Sequence, residues 1–119
     1  MDVSVVIPVY NAAPYLEQCI ESLRRQDYGR DRYEVLMVDN NSTDGSVETI
    51  RHHPWIRLLH EPKQGAYAAR NRALPVVRGN IIAFTDPDCV AQPDWLRNLT
   101  NAFAELRLIR SGGRFSYAA

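Results

Sequence analysis

Only two cysteines, Cys19 and Cys89, occur among the 119 residues, and they form neither a C-x-x-C pair nor a disulfide ladder. That usage is expected of a reduced intracellular protein. Net charge is lacking as well, since 14 Lys+Arg balance 14 Asp+Glu. Such a chain has no broad field to gather DNA or RNA, which argues against a nucleic-acid partner held by charge alone. Lys63 is the single lysine beside thirteen arginines. No apolar run approaches the ~20 residues that cross a bilayer, so no transmembrane segment is expected. Met1-Asp2-Val3-Ser4 carries an acid where a signal peptide has basic residues. The expectation is a soluble, cytoplasmic chain, with at most peripheral contact to the inner face of a membrane. Two nucleotide signatures are also missing: no G-x-G-x-x-G follows the first apolar segment, and no G-x-x-x-x-G-K-[ST] occurs anywhere.

What is present suits one compact domain with a real core, 45% of it hydrophobic. Val3 to Val9 is β-branched and apolar, which predicts a strand buried on both faces. Pro8 would disrupt a central ladder, so its hydrogen bonding should stop at about that point. Pro14 then suits the first turn of a helix whose apolar face is Leu16, Cys19, Ile20 and Leu23. Tyr33 to Asp39 reads as a second buried strand. Turn and cap residues from Asn40 to Ser46 lead into a short helix through Val47 and Ile50, which Pro54 terminates. A third strand is expected over Trp55 to His60 and a helix from Ala66 to about Ala73, ended by Pro75. Ile81 to Thr85 is a fourth strand. Pro93 opens a last helix with Leu96, Leu99, Phe103 and Leu106 on one face. The β-α-β-α-β-α-β-α order predicts an α/β fold, a mostly parallel sheet flanked by helices. Residues 106–119 match no element of this pattern and are expected to form an irregular tail.

Ligands of such sheets bind beyond the carboxyl ends of the strands. There the first strand delivers Tyr10 and Asn11, the second Asp39, and the fourth Asp86 and Asp88. Two carboxylates one residue apart repel each other unless a cation neutralises them. Mg²⁺ and Mn²⁺ favour oxygen donors, so Asp86-Pro87-Asp88 suggests a clamp for a metal and a diphosphate. The alternative is a turn in which Asp bonds its own backbone. A strand followed by D-x-D also suits haloacid-dehalogenase-type phosphatases. Their downstream Lys is absent, and Asp94 and Glu105 are the only acids in the 31 residues after Asp88.

Five segments occur in order: Val3-Ser4-Val5-Val6-Ile7-Pro8-Val9-Tyr10-Asn11, Val38-Asp39-Asn40-Asn41-Ser42-Thr43-Asp44-Gly45-Ser46, Gly65-Ala66-Tyr67-Ala68-Ala69-Arg70-Asn71, Phe84-Thr85-Asp86-Pro87-Asp88-Cys89, and Pro93-Asp94-Trp95-Leu96. Together they resemble the N-terminal half of a family 2 glycosyltransferase with a Rossmann-like GT-A fold. The resemblance spans residues 3–105, which it implies to be a nucleotide-sugar-binding domain. It implies a nucleotide-diphospho-sugar donor, with UDP ahead of GDP or dTDP, and a glycan or lipid-linked acceptor. Pro8, Tyr10, Asn11, Asp39, Arg70 and Asp86 would bind the nucleotide. Tyr10 would lie beside the base, Asp39 would accept from a base N–H, and Arg70 would meet the diphosphate. Asp88, with Asp86, would hold Mn²⁺ or Mg²⁺.

Each residue keeps a structural alternative. Tyr10 caps the core, Asp39 closes an Asx turn, Arg70 pairs with a surface acid, and Asp44 caps a helix. Cys89 reads as a small packing residue, because hard cations prefer oxygen. His52, His53 and His60 have no metal-ligand spacing, and Trp95 reads as packing. The family's general base lies further downstream, and neither Asp94 nor Glu105 matches it. The chain is therefore expected to be a truncated transferase lacking the base and the acceptor site. The alternatives are a non-catalytic nucleotide-sugar-binding module, or a remnant that associates with itself through an uncovered sheet edge.

Overall fold

A computed structural model describes residues 1–107 and 115–118, with side chains through residue 104. Its centre is β1 (Val3–Val9), whose Val3, Val5, Val6, Ile7 and Val9 are fully buried. Burial on both faces and pairing on both sides is what a β-branched run without alternation specifies. α1 (Ala13–Arg24) follows, with proline in its first turn and Leu16, Cys19, Ile20 and Leu23 buried. Then come β2 (Tyr33–Asp39), α2 (Ser46–Arg51), β3 (Arg57–His60), α3 (Ala66–Ala73), β4 (Ile81–Phe84) and α4 (Trp95–Arg107). Pro75 ends α3 in a 3-10 turn at Leu74–Val76.

The strands form one sheet in the order β3-β2-β1-β4, every described pairing parallel. Helices cover both faces. Leu16 and Ile20 of α1, Ile50 of α2, and Leu96, Leu99 and Phe103 of α4 pack with Val3, Val5, Ile7 and Val9. Ala69 and Ala73 of α3 pack with Val6, Leu36 and Val38 on the other face. No helix among the described residues is long and apolar enough to cross a membrane.

The ladder of β1 ends about Pro8, though unevenly on its two sides: pairing with β2 runs one residue further, to Val9↔Asp39, and Asn40 N donates to the Val9 carbonyl at 2.8 Å. Peptide groups alternate sides along a strand, and the Val6 carbonyl accepts Thr85 N on the β4 side. Pro8 is two residues on from Val6, so its missing N–H faces β4, where pairing has already stopped at Val6↔Phe84. One expectation is corrected, that of an irregular tail. α4 continues to Arg107, and Phe115–Ala118 form β5, parallel to β4 with Ile81↔Phe115 and Phe84↔Ala118 in register. An open β4 edge presents unpaired N–H and C=O groups that an extended segment satisfies. The side chain of Leu106, expected on the apolar face of α4, lies outside the described residues.

A buried polar network ties the amino end of the sheet. Ser4 Oγ donates to Glu34 Oε2 at 2.6 Å, Arg78 N donates to the same oxygen at 2.7 Å, and Arg57 Nη1 donates to Glu34 Oε1 at 2.9 Å. Gly79 N donates to Ser4 Oγ at 2.8 Å. The approach is so close that a Cβ on Gly79 would lie 2.5 Å from the Ser4 nitrogen and 2.6 Å from the Val3 carbonyl carbon. Gly79→Ala should therefore destabilise the fold by about 2 kcal/mol through overpacking against backbone, read as a lowered urea midpoint.

Burial pushes the Glu34 carboxyl up, but the Ser4, Arg78 and Arg57 hydrogen bonds and the Arg57 charge outweigh it and hold it below its ordinary value. A lowered native pKa contributes stability above the unfolded pKa of ~4.3 and loses it as pH falls through the native value. The stability gap between wild type and Glu34→Gln should accordingly shrink as urea midpoints are followed from neutrality to below ~4. A gap independent of pH would contradict this account of Glu34.

Candidate functional site

After β1 the chain crosses to β2 on one side, while β4 lies on the other, so the strand order reverses between β1 and β4. A cleft of about 460 Å³ opens at the carboxyl ends there, lined by Pro8, Tyr10, Asn11, Tyr15, Asn40, Gln64, Gly65, Asp86 and Asp88 among others. Tyr10 is 55% exposed and Tyr15 54%. Tyr10 thus faces the cleft and does not cap the core.

The β1–α1 loop is fastened to the β2–α2 loop. Asn11 adopts a left-handed φ of 47°. Its Oδ1 accepts Thr43 N at 2.7 Å and Asp44 N at 3.3 Å, while its own N donates to Ser42 Oγ at 3.0 Å. Asp44 Oδ2 accepts Ala13 N at 3.2 Å, and Oδ1 accepts Ser46 N at 2.9 Å and Ser46 Oγ at 2.5 Å. The Ser46 hydroxyl is the main cause that holds the Asp44 carboxyl below its ordinary value. Asp44 therefore accepts the first N–H of α1 and of α2, while the N-cap positions themselves are Ala12 and Gly45. Asn11 lines the cleft, but its side-chain oxygen is already engaged by backbone.

Asp39 is buried at the end of β2 and is not among the lining residues. Its Oδ1 accepts Ser42 N, three residues on, at 3.3 Å, and Oδ2 lies 3.4 Å from His60 Nδ1. Asn40, which the sequence places only among turn residues, shapes the wall. Its Nδ2 donates to the carbonyls of Glu61 at 2.9 Å and Lys63 at 2.8 Å; its Oδ1 accepts Gly65 N at 2.8 Å and Gln64 Nε2 at 3.1 Å. These bonds hold Gly65 at φ 133°, a conformation other residues rarely adopt. The one hint in the sequence is a pair of Asn residues directly after a strand, the second of which takes φ 69°.

Asp86 and Asp88 follow β4. One oxygen from each, with Cys89 Sγ, all lie within 4.8 Å of one another. Cys89 N donates to the Asp86 carbonyl at 3.1 Å, a tight turn that folds the pair toward one point. Arg70, on α3, reaches Asp86 Oδ1 at 3.6 Å with its guanidinium carbon 5.8 Å from the centre of the Phe84 ring, and its Nε is buried without a hydrogen-bond partner. Among the described residues no basic side chain pairs with Asp88. Two clustered carboxylates with one counter-charge, paired with Asp86 alone, are a donor set that suits a hard divalent cation. Cys89 is partly exposed, and its thiol donates to Asp88 Oδ1 at 3.8 Å. Cys19 is different: burial above all, then the neighbouring Cys89, Asp88 and Asp86, pushes its thiol up to about 12. Trp95 packs against the core as expected. Elsewhere, His53 meets Glu17 at 3.3 Å.

Residues 4–117 match the model of the family described as glycosyl transferase family 2. Glycosyltransferase AglE of Haloferax volcanii is 36% identical over 120 residues, covering 97% of this chain and 40% of AglE. Mannosyltransferase PcManGT of Pyrobaculum calidifontis, solved in complex with GDP-Man and Mn²⁺, is 36% identical with a TM-score of 0.81, covering 86% of this chain and 32% of that one. S. aureus TarS 1–349 in complex with UDP is 26% identical with a TM-score of 0.83, covering 88% and 32%. The chain thus spans about a third to two-fifths of the length of these relatives.

Asn40→Ala would leave the Gly65 N–H and two carbonyls of the 61–65 loop to find other partners. A loss of about 2–3 kcal/mol is expected, since unsatisfied groups cost ~1–3 kcal/mol. Hydrogen exchange at Gly65 should accelerate at least tenfold, and an unchanged rate would remove Asn40 from this role.

Proposed function

The chain belongs to glycosyl transferase family 2, and from that premise we propose that it forms the donor-binding part of a metal-dependent transferase that uses a nucleotide-diphospho-sugar, UDP ahead of GDP or dTDP. The observation that carries the reading is the convergence of Asp86 and Asp88 on the rim of a cleft at the sheet's switch point. Tyr10 offers an exposed ring against which a base packs. Pro8 and Gly65 form a low wall that lets a ligand approach backbone. The resemblance also assigns Asp39 to a base N–H, although it is buried at the end of β2 and is not among the residues lining this cleft. Asn11 acts indirectly, by fixing the loop that carries Tyr10. Arg70, always charged and forked, turns toward the diphosphate. Asp88, with Asp86, would hold Mn²⁺ or Mg²⁺, and such an ion, when bound, neutralises charge on the departing diphosphate.

Among the described residues, Asp86 and Asp88 are the only carboxylates that line this cleft. Both are assigned to the metal, so no residue here is assigned as the base that deprotonates an acceptor hydroxyl. That favours a second reading, donor binding without transfer by these 119 residues alone.

Calorimetric titration with UDP and with GDP, each with Mn²⁺, tests the proposal. Saturable binding of at least one is expected, weakened at least tenfold in Asp88→Ala. Absence of binding for both nucleotides, or equal binding by the variant, would overturn it.

A further inference from the structure

We infer that Gln64 is the residue that reads the nucleobase, and that it selects bases with a keto edge, uracil or guanine, over the amino bases cytosine and adenine. The inference rests on the reading of the cleft as a nucleotide site and adds to it a residue that determines specificity. Gln64 is exposed and lines the cleft together with Tyr10. A glutamine amide that is free to turn over exchanges its donor and its acceptor, and would serve either class of base. This one is locked. Its Nε2 donates to Asn40 Oδ1 at 3.1 Å, and its Oε1 accepts Asn41 Nδ2 at 3.2 Å. Neither asparagine can itself turn over. Asn40 Nδ2 donates to the carbonyls of Glu61 and Lys63 while its Oδ1 accepts Gly65 N, and Asn41 Nδ2 donates to the Pro62 carbonyl at 2.9 Å. Backbone groups have fixed donor and acceptor roles, so they set both asparagines and, through them, the amide of Gln64.

An amide carries two N–H donors and two oxygen lone pairs. Among the described residues the asparagines use one of each, which leaves one donor and one acceptor, in a fixed order, for a ligand in the cleft. Uracil and guanine offer a carbonyl oxygen beside a ring N–H. Cytosine and adenine offer an amino group beside a bare ring nitrogen, the same pair with the roles exchanged. A base whose ring packs on Tyr10 and whose diphosphate is held at Asp86 and Asp88 is not free to turn its edge over. The locked amide then satisfies one class, and sets donor against donor and acceptor against acceptor in the other. For a UDP or GDP donor the matching class is the keto one. Turning the amide to suit cytosine would set Gln64 Oε1 against Asn40 Oδ1 and Nε2 against Asn41 Nδ2. Mismatch of this kind discriminates strongly, because polar groups of the site are left unpaired. Asn41 does not line the cleft and acts as a positioning residue.

Calorimetric titration with UDP, CDP, GDP and ADP, each with Mn²⁺, compares keto and amino bases of equal ring size. In the wild type, UDP should bind at least tenfold more tightly than CDP, or GDP than ADP. Gln64→Met, close in volume but without hydrogen bonds, should cut that ratio at least fivefold. Asn41→Gly, which suits the left-handed φ of 69°, should cut it at least threefold although residue 41 lies outside the cleft lining. A merely structural role would weaken all four nucleotides alike and leave the ratio unchanged. Circular dichroism confirms that each variant is folded. A wild type that binds UDP and CDP equally, and GDP and ADP equally, overturns the inference while leaving the metal–diphosphate reading intact. A preference for CDP or ADP, or an unchanged ratio in either variant, overturns it in the same way. Absence of binding by all four removes the nucleotide site and the inference with it.

Discussion

Two ladders of unequal length on β1 set the shape of the molecule's working edge. On one side β1 is paired with β2 to the end at Val9↔Asp39; on the other, pairing with β4 stops at Val6↔Phe84. The chain beyond β4 is then released from the sheet, and the Asp86-Pro87-Asp88 turn swings across the gap. Pro8 stands in that gap with no N–H to offer, so nothing there invites the ladder to continue. A crevice with backbone on two sides and carboxylates on its rim follows from this one asymmetry.

The two ends of the sheet solve opposite problems. At the amino end, charge is buried and fully met, Glu34 being bonded by Ser4, Arg57 and the Arg78 amide. Such a network holds geometry and leaves nothing for a ligand to satisfy. At the carboxyl end, Asp88 is exposed with no cationic partner among the described residues, and the Nε of Arg70 has no acceptor. Incomplete satisfaction is what a binding site requires, because a ligand gains most where the protein has left polar groups unmatched. Rigidity comes from neighbouring loops: Asn11 fastens one wall to residues 43–44, and Asn40 fastens the other to residues 61–65.

Much of this was legible in the residues themselves. The apolar runs at Val3 to Val9 and Tyr33 to Asp39 form the central strands, Pro14 opens α1, and Pro75 closes α3. The D-x-D spacing after an apolar strand identified the acidic pair, and the ordered motifs identified the family. Less legible were Asn40, which looks like any turn residue until Gly65 arrives 25 positions later, and Ser4, whose partner Gly79 is 75 positions away. Pro8 marks about where β1 ends, but a one-dimensional rule cannot say which neighbour its absent N–H faces. The edge strand β5 has too little pattern of its own, and its place depends on an open edge of β4.

Burial and its periodicity are local properties, since each segment's apolar content states how much of it must leave water. The order of elements, the parallel sheet and the acidic turn were thus determined by the sequence itself. Which hydrogen-bond donor meets which acceptor across dozens of residues has no local signature, because it exists only once strands are in register. Tertiary structure therefore decided where the β1 ladders end, which asparagines brace the cleft, and that the sulfur of Cys89 stands beside two carboxylates.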